Sequence, residues 1–159
     1  MEQSLEQIQA VVTAVRSVRS ELNVPPGKKS DLYVKVDSAG FGELLNNHIE
    51  YFRSLARVNS LHVGTDVKKP PLSASTVISG AEIFVPLEGL IDIDVEKKRL
   101  EKELGNLSTQ LEKTSRKLAN SDFLSNAPKE VIGREKAKKA DYQQRIERLN
   151  RNLEQILGW

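Results

Sequence analysis

The chain has 159 residues, 38% hydrophobic and 29% charged, with a net charge of only +2. That length suits one compact domain plus an appendage, and the apolar fraction is too low for a single core to absorb all of it. Cysteine is absent, which excludes disulfides and thiolate metal sites, and the two histidines, His48 and His62, are isolated, so no metal site is expected. No apolar run approaches the roughly 20 residues of a membrane span, and no signal peptide, phosphate loop, dinucleotide fingerprint or nucleophile elbow is recognisable. Nothing therefore favours an independent enzyme, and no membrane is expected among the partners.

Residues 4–23 predict a helix, because Leu5, Ile8, Val11, Val12, Val15, Val18 and Leu22 recur at three- and four-residue spacing. The apolar stripe is wide, and so broad a surface normally packs on more than one neighbour. This reads as the last helix of a bundle whose other members lie outside the chain. Pro25 and Pro26 end it.

Residues 31–37 alternate, with Leu32, Val34 and Val36 on one side and Tyr33 and Lys35 on the other, as in a half-buried strand. Helical spacing returns over 41–57, then a short strand around 61–63. A polar loop from 65 to 74 contains Lys68 and Lys69, read as solvated like Lys28 and Lys29. Strand-like segments follow near 76–78 and 82–87. The expectation is a β-α-β-β unit of about 60 residues, in which three strands covered by one helix suffice for stability.

From Val95 the pattern changes to heptads. Leu100, Leu104, Leu107, Leu111, Thr114 and Leu118 step alternately by four and three. After a break, Ile132, Glu135, Lys139, Tyr142, Ile146, Leu149, Leu153 and Ile156 do the same. Asp92 or Asp94 suits the cap of the first helix, and Pro128 the first turn of the second. Folded back antiparallel, the seams match with index sums near 250, as for Leu118 with Ile132 and Leu104 with Ile146. Each arm would reach about 37 Å at 1.5 Å per residue. Seam positions are Leu and Ile near the base, whereas Glu135 and Lys139 occupy them near the tip. Gly105 and Gly133 each cost about 1 kcal/mol of helix propensity, so the base should be firm and the tip half looser. The predicted fold is α+β: one helix, a small β-α-β-β unit, and a long antiparallel two-helix coiled-coil hairpin.

The hairpin bend, "NSDFLSNAP" at 120–128, sits where positive charge gathers. Residues 113–140 hold eight basic side chains (Lys113, Arg116, Lys117, Lys129, Arg134, Lys136, Lys138 and Lys139) against three acids, a surplus of five. Such a cluster either contacts a phosphate backbone or is a solvated coiled-coil face. Phe123 could stack on an unpaired base, but with Leu124 it suits better a plug over Leu118 and Ile132 that closes the seam. Trp159 could cover the base of the arm or be a frayed end.

Three stretches, "VRSVRSELNVPPGKK" (15–29), "GAEIFVPLEGLIDIDVEKKRLEKEL" (80–104) and "FLSNAPKEVI" (123–132), resemble in the same order the C-terminal end of bacterial valyl-tRNA synthetases. The resemblance implies that residues 1–27 are the last helix of the helical anticodon-binding domain with its linker. It makes 28–91 the linking α+β module and 92–159 a coiled-coil arm that lies against the outer corner of tRNA. It further implies valine tRNA and the rest of a synthetase chain as partners, a cytoplasmic location, and the eight basic residues, Phe123, Arg16 and Arg19 as candidate tRNA contacts. Arg19 borders the apolar stripe, so a structural salt bridge or a snorkelling stem suits it as well. The H-I-G-H and K-M-S-K-S signatures of such enzymes are absent: His48 is followed by Ile49-Glu50-Tyr51, and the only methionine is Met1. Catalysis and editing, with ATP and Mg as cofactors, would therefore lie in the parent enzyme, leaving no cofactor for this fragment. The rival reading is a coiled-coil protein–protein adaptor. A hairpin saturates its own seam and predicts a monomer, whereas an adaptor leaves a seam open and predicts an assembly.

Overall fold

A computed structural model describes residues 2–157, which fall into two compact units; Trp159, whose role the sequence left open, lies outside the described residues. The first unit runs to Ile93 and regains the chain at Gln155; the second spans Asp94–Glu154.

Helix α1 (Glu2–Glu21) ends because Asn23 adopts a left-handed conformation at φ 56°. The Val24 amide then reaches the Arg19 carbonyl at 2.9 Å and the Asn23 amide that of Ser20 at 3.2 Å, a Schellman closure. Strand β1 (Ser30–Val36) follows, then α2 (Ala39–Asn47), α3 (Ile49–Leu55), β2 (Val58–Gly64), β3 (Ser73–Ile78) and β4 (Ala81–Pro86). The sheet order is β2-β1-β4-β3, with β1 parallel to β2 and the other neighbours antiparallel. The unit is therefore β-α-α-β-β-β rather than β-α-β-β. All four strand segments are visible in the sequence, and the shorter formula undercounts them.

The helix expected over 41–57 is two helices. His48 breaks it at φ −118° and ψ 27°, where its ring Nδ1 lies 2.8 Å from the Leu44 carbonyl. The Ser38 hydroxyl caps α2 by accepting the Phe41 amide at 3.3 Å. Gly80 closes the β3–β4 hairpin at φ +84°, which favours glycine, and a Cβ there would stand a tight 3.3 Å from the Phe41 ring.

Alternation fixes the core. Leu32, Val34 and Ile83 are fully buried from neighbouring strands, with Leu45 and Phe52 buried on the crossover helices. Val11 and Val15 are also fully buried, and α1 packs along β3 and β4. The sheet thus covers much of the wide apolar stripe of α1, while Leu5 remains 51% exposed.

Edge strand β3 is completed by a side chain. The Gln155 amide accepts from the Ser75 N–H at 2.8 Å and donates to the Ser75 carbonyl at 2.7 Å, copying a ladder pair. Gln155→Ala should cost about 1–2 kcal/mol by leaving both groups without a protein partner. A thermal melt would read the loss, and faster hydrogen exchange at the Ser75 amide would locate it.

Candidate nucleic-acid interface

In the second unit, α4 (Ile93–Ala119) and α6 (Lys129–Leu157) are joined through a single-turn helix, α5 (Ser121–Asn126). Leu100, Leu107 and Thr114 are buried seven residues apart, with Leu104 and Leu111 half-buried between them and Leu118 half-buried beyond. That is the expected α4 seam, and half-burial follows because each helix of a two-helix pair covers only one flank. On α6, Ile132, Tyr142, Ile146, Leu149 and Leu153 are half-buried, while Glu135 and Asn152 are buried. The buried asparagine was not anticipated, because the heptad spacing places Leu153 on the seam.

Antiparallel pairing is visible at the tip. The Lys117 ammonium lies 3.6 Å from a Glu135 carboxylate oxygen across the helix pair, and those indices sum to 252 against the expected 250. Lys138 approaches the same oxygen at 3.5 Å. A carboxylate inside the seam is thus held between two ammonium groups that remain in water, which limits its desolvation cost. Glu135→Leu would replace this arrangement with the aliphatic filling found nearer the base. It should be neutral or stabilising by about 1 kcal/mol, read as an unchanged or higher melting temperature. Gly105 and Gly133 have open space where a Cβ would stand, so Gly105→Ala with Gly133→Ala should stiffen the arm by up to about 1 kcal/mol each. Loss of helicity in the double variant would contradict this.

The bend is ordered by Asn120, whose side-chain oxygen accepts the amides of Asp122 at 2.9 Å and Phe123 at 3.3 Å. Phe123 is half-buried, with the Lys117 ammonium 5.8 Å from its ring centre, a cation–π distance. Leu124 is 41% exposed. The pair expected to plug the seam therefore divides, with one side chain partly covered and the other facing solvent. Asp92 stands just before α4, with Asp94 and Glu96 in its first turn, and the Pro128 carbonyl opens α6 by accepting the amides of Val131 and Ile132 at 3.1 Å. Near the base Glu96 is buried and paired with Arg99, and hydrogen bonding to that carboxylate raises the pKa of Arg99.

The eight tip cations separate by engagement. Lys117 and Lys138 share Glu135, and Arg116 pairs with Glu112 one turn back. Lys113, Lys129, Arg134 and Lys136 are exposed and have no carboxylate partner among the described residues. Lys139 is likewise unpaired but half-buried at its seam position.

The two α1 arginines also differ. Arg16 is exposed. Arg19 is buried, and its guanidinium donates to the Ser30 hydroxyl at 3.2 Å and the Pro25 carbonyl at 3.3 Å, and to the Lys28 carbonyl. Burial lowers its pKa, and the charge of Arg57 adds to the effect. It ties the Pro25–Pro26 turn and the start of β1 to α1, the structural role that its place beside the stripe suggested. Both arginines line an open cleft of about 680 Å³ that also includes Arg57, a residue with no warning in the sequence because it stands alone between helix and strand.

A helical-hairpin arm with an aliphatic base and a cationic tip, in one chain with a small α+β unit, is the class these features define. Residues 92–157 match the family described as the valyl tRNA synthetase tRNA binding arm. Nearly the whole chain resembles the C-terminal region of valine–tRNA ligases. It is 34% identical over 154 residues to that of Staphylococcus carnosus (strain TM300), covering 97% of this chain and 18% of the relative. For Nitratidesulfovibrio vulgaris the identity is 36% over 157 residues, with the same 97% and 18% coverage. For Geobacillus kaustophilus it is 38% over 146 residues, covering 92% and 17%. The chain thus spans less than a fifth of the length of the curated relatives it matches.

Proposed function

We propose that this chain is the non-catalytic, tRNA-binding C-terminal part of a valine–tRNA ligase, and that its arm lies on the outer corner of valine tRNA to support aminoacylation. The observation that carries this reading is the cluster of exposed, unpaired cations, Lys113, Lys129, Arg134 and Lys136, around the hairpin bend. Ammonium and guanidinium groups free of carboxylates gain affinity for a phosphate backbone by releasing its condensed counterions. Arg116, Lys117, Lys138 and Lys139 add to the field around the bend, and Phe123 is a secondary candidate for a base contact because part of its ring remains accessible. On the first unit, Arg16 is the α1 candidate, while the internal hydrogen bonds of Arg19 support a structural role.

In this reading residues 1–27 end the anticodon-binding domain, 28–91 form the linking module, and 92–159 form the arm. The remaining synthetase chain supplies valine activation and editing with ATP and Mg, in the cytoplasm. Among the described residues no helix is long and apolar enough to cross a membrane. The aliphatic seam shared by α4 and α6 supports an intramolecular hairpin and a monomer over a coiled-coil adaptor. Sedimentation as a dimer at micromolar concentration would favour the adaptor. The test of function is an electrophoretic shift of the chain with valine tRNA and with an unrelated tRNA across a salt series. Binding that weakens steeply with salt is expected for both. No shift with either RNA at low salt would overturn the proposal.

A further inference from the structure

We infer that the open cleft at the end of α1 is a second phosphate-binding surface, one that takes an RNA backbone through Arg16 and Arg57. The choice of RNA rests on the reading of the arm; the affinity for phosphate does not. Arg16, Arg19, Ser20, Asn23, Ser54 and Arg57 line the cleft together with apolar and proline residues, and no Asp or Glu is among the lining side chains. Arg16 and Arg57 are exposed and have no carboxylate partner among the described residues. Arg19 is fixed in the wall by its hydrogen bonds to Ser30, Pro25 and Lys28. Arg57 depresses the pKa of Arg19, which places the two cations close enough to repel. The cleft therefore concentrates positive charge without a neutralising anion.

The backbone supports the same conclusion. Asn23 and Arg57 hold left-handed conformations, φ 56° and 55°, and both face the cleft. Asparagine adopts that region readily; Arg57 follows Ala56, the C-cap of α3, where a chain leaving a helix commonly turns left-handed and glycine is the usual, unstrained residue. Arginine in place of glycine at this helix end puts a long cationic side chain on the wall of the cleft. Guanidinium forks match phosphate oxygens, and the hydroxyls of Ser20 and Ser54 add neutral donors. No aromatic ring lines the cleft, so a nucleobase has nothing to stack on, and a continuous sugar–phosphate strand fits better than a free nucleotide.

The test uses the intact chain, an Arg16→Gln/Arg57→Gly variant, an arm variant (Lys113, Lys129, Arg134 and Lys136 to Gln), and their combination. Each is titrated by filter binding against a mixed-sequence RNA duplex across a salt series. The cleft variant should lose about tenfold in affinity at 0.1 M salt and flatten the log–log salt slope by about one to two, in the parent and in the arm-neutralised background alike. Its melting temperature should be no lower than that of the parent, since glycine removes the strain at position 57. If the cleft variant loses affinity while the arm variant does not, the inference stands and the arm reading fails. An unchanged slope in both backgrounds overturns the inference, whatever the arm variant does. Inorganic phosphate alone should shift the amide resonances of Ser54 and Arg57. Such shifts without any change in the RNA slope would assign the cleft to a free anion and overturn the assignment to RNA.

Discussion

Replacing Lys113, Lys129, Arg134 and Lys136 together by glutamine should weaken tRNA binding on the order of a hundredfold at 0.1 M salt while leaving the fold intact. The magnitude follows from counterion release. A slope of about 0.9 per neutralised phosphate makes each ion pair with the backbone worth roughly eightfold at that salt, so even two true pairs among the four give nearly two orders of magnitude. The log–log slope should flatten by about one for each phosphate no longer neutralised. These four side chains are exposed and unpaired, so their removal leaves no stranded partner. Neutralising Lys117 and Lys138 is a different experiment. It removes both ammonium groups from the buried Glu135 carboxylate, and the tip should lose stability as well as affinity. Melting curves separate the two sets. An unchanged salt slope for the unpaired set would sink the arm as an RNA-binding element.

The division of the tip into free and engaged cations was only partly legible in the sequence. Heptad spacing located both helices of the arm, and the index sums anticipated the antiparallel register that Lys117 and Glu135 display. Glu135 announced itself as a charge on a seam position, but its partners depend on the exact rotation of two helices, which a repeat of seven does not resolve. The same limit explains Asn152, buried where the spacing pointed to Leu153. In the first unit, period-two alternation marked β1, and the other three strands showed only as short strand-like segments. Their order, β2-β1-β4-β3, depends on long-range pairings with no local signature. The break at His48 was missed because apolar spacing continues through it and neither glycine nor proline marks the site. Arg57 was missed for a related reason: a left-handed backbone at a lone arginine follows from the turn between α3 and β2, and composition carries no trace of it.

Arg19 provides the sharpest separation of structure from binding, because its sequence position allowed both. Arg19→Met keeps a long apolar stem at this buried position but deletes the guanidinium. The Ser30 hydroxyl and the Pro25 and Lys28 carbonyls then lose a charged donor. Hydrogen bonds to charged groups contribute about 1.5–3 kcal/mol each, but this head group lines an open cleft, where water replaces part of what is lost. A net cost of about 2–3 kcal/mol follows, which for a unit of this size lowers the melting temperature by roughly 10–20 °C. The Pro25–Lys28 turn should also become more protease-sensitive, since the guanidinium is its tie to α1. Below the melting transition, the salt slope for RNA should fall by less than that of Arg16→Gln, because the Arg19 donors already face inward. A variant that melts like the parent but loses a full phosphate equivalent of slope would reverse the assignment, making Arg19 an RNA contact and leaving the turn held by its backbone alone.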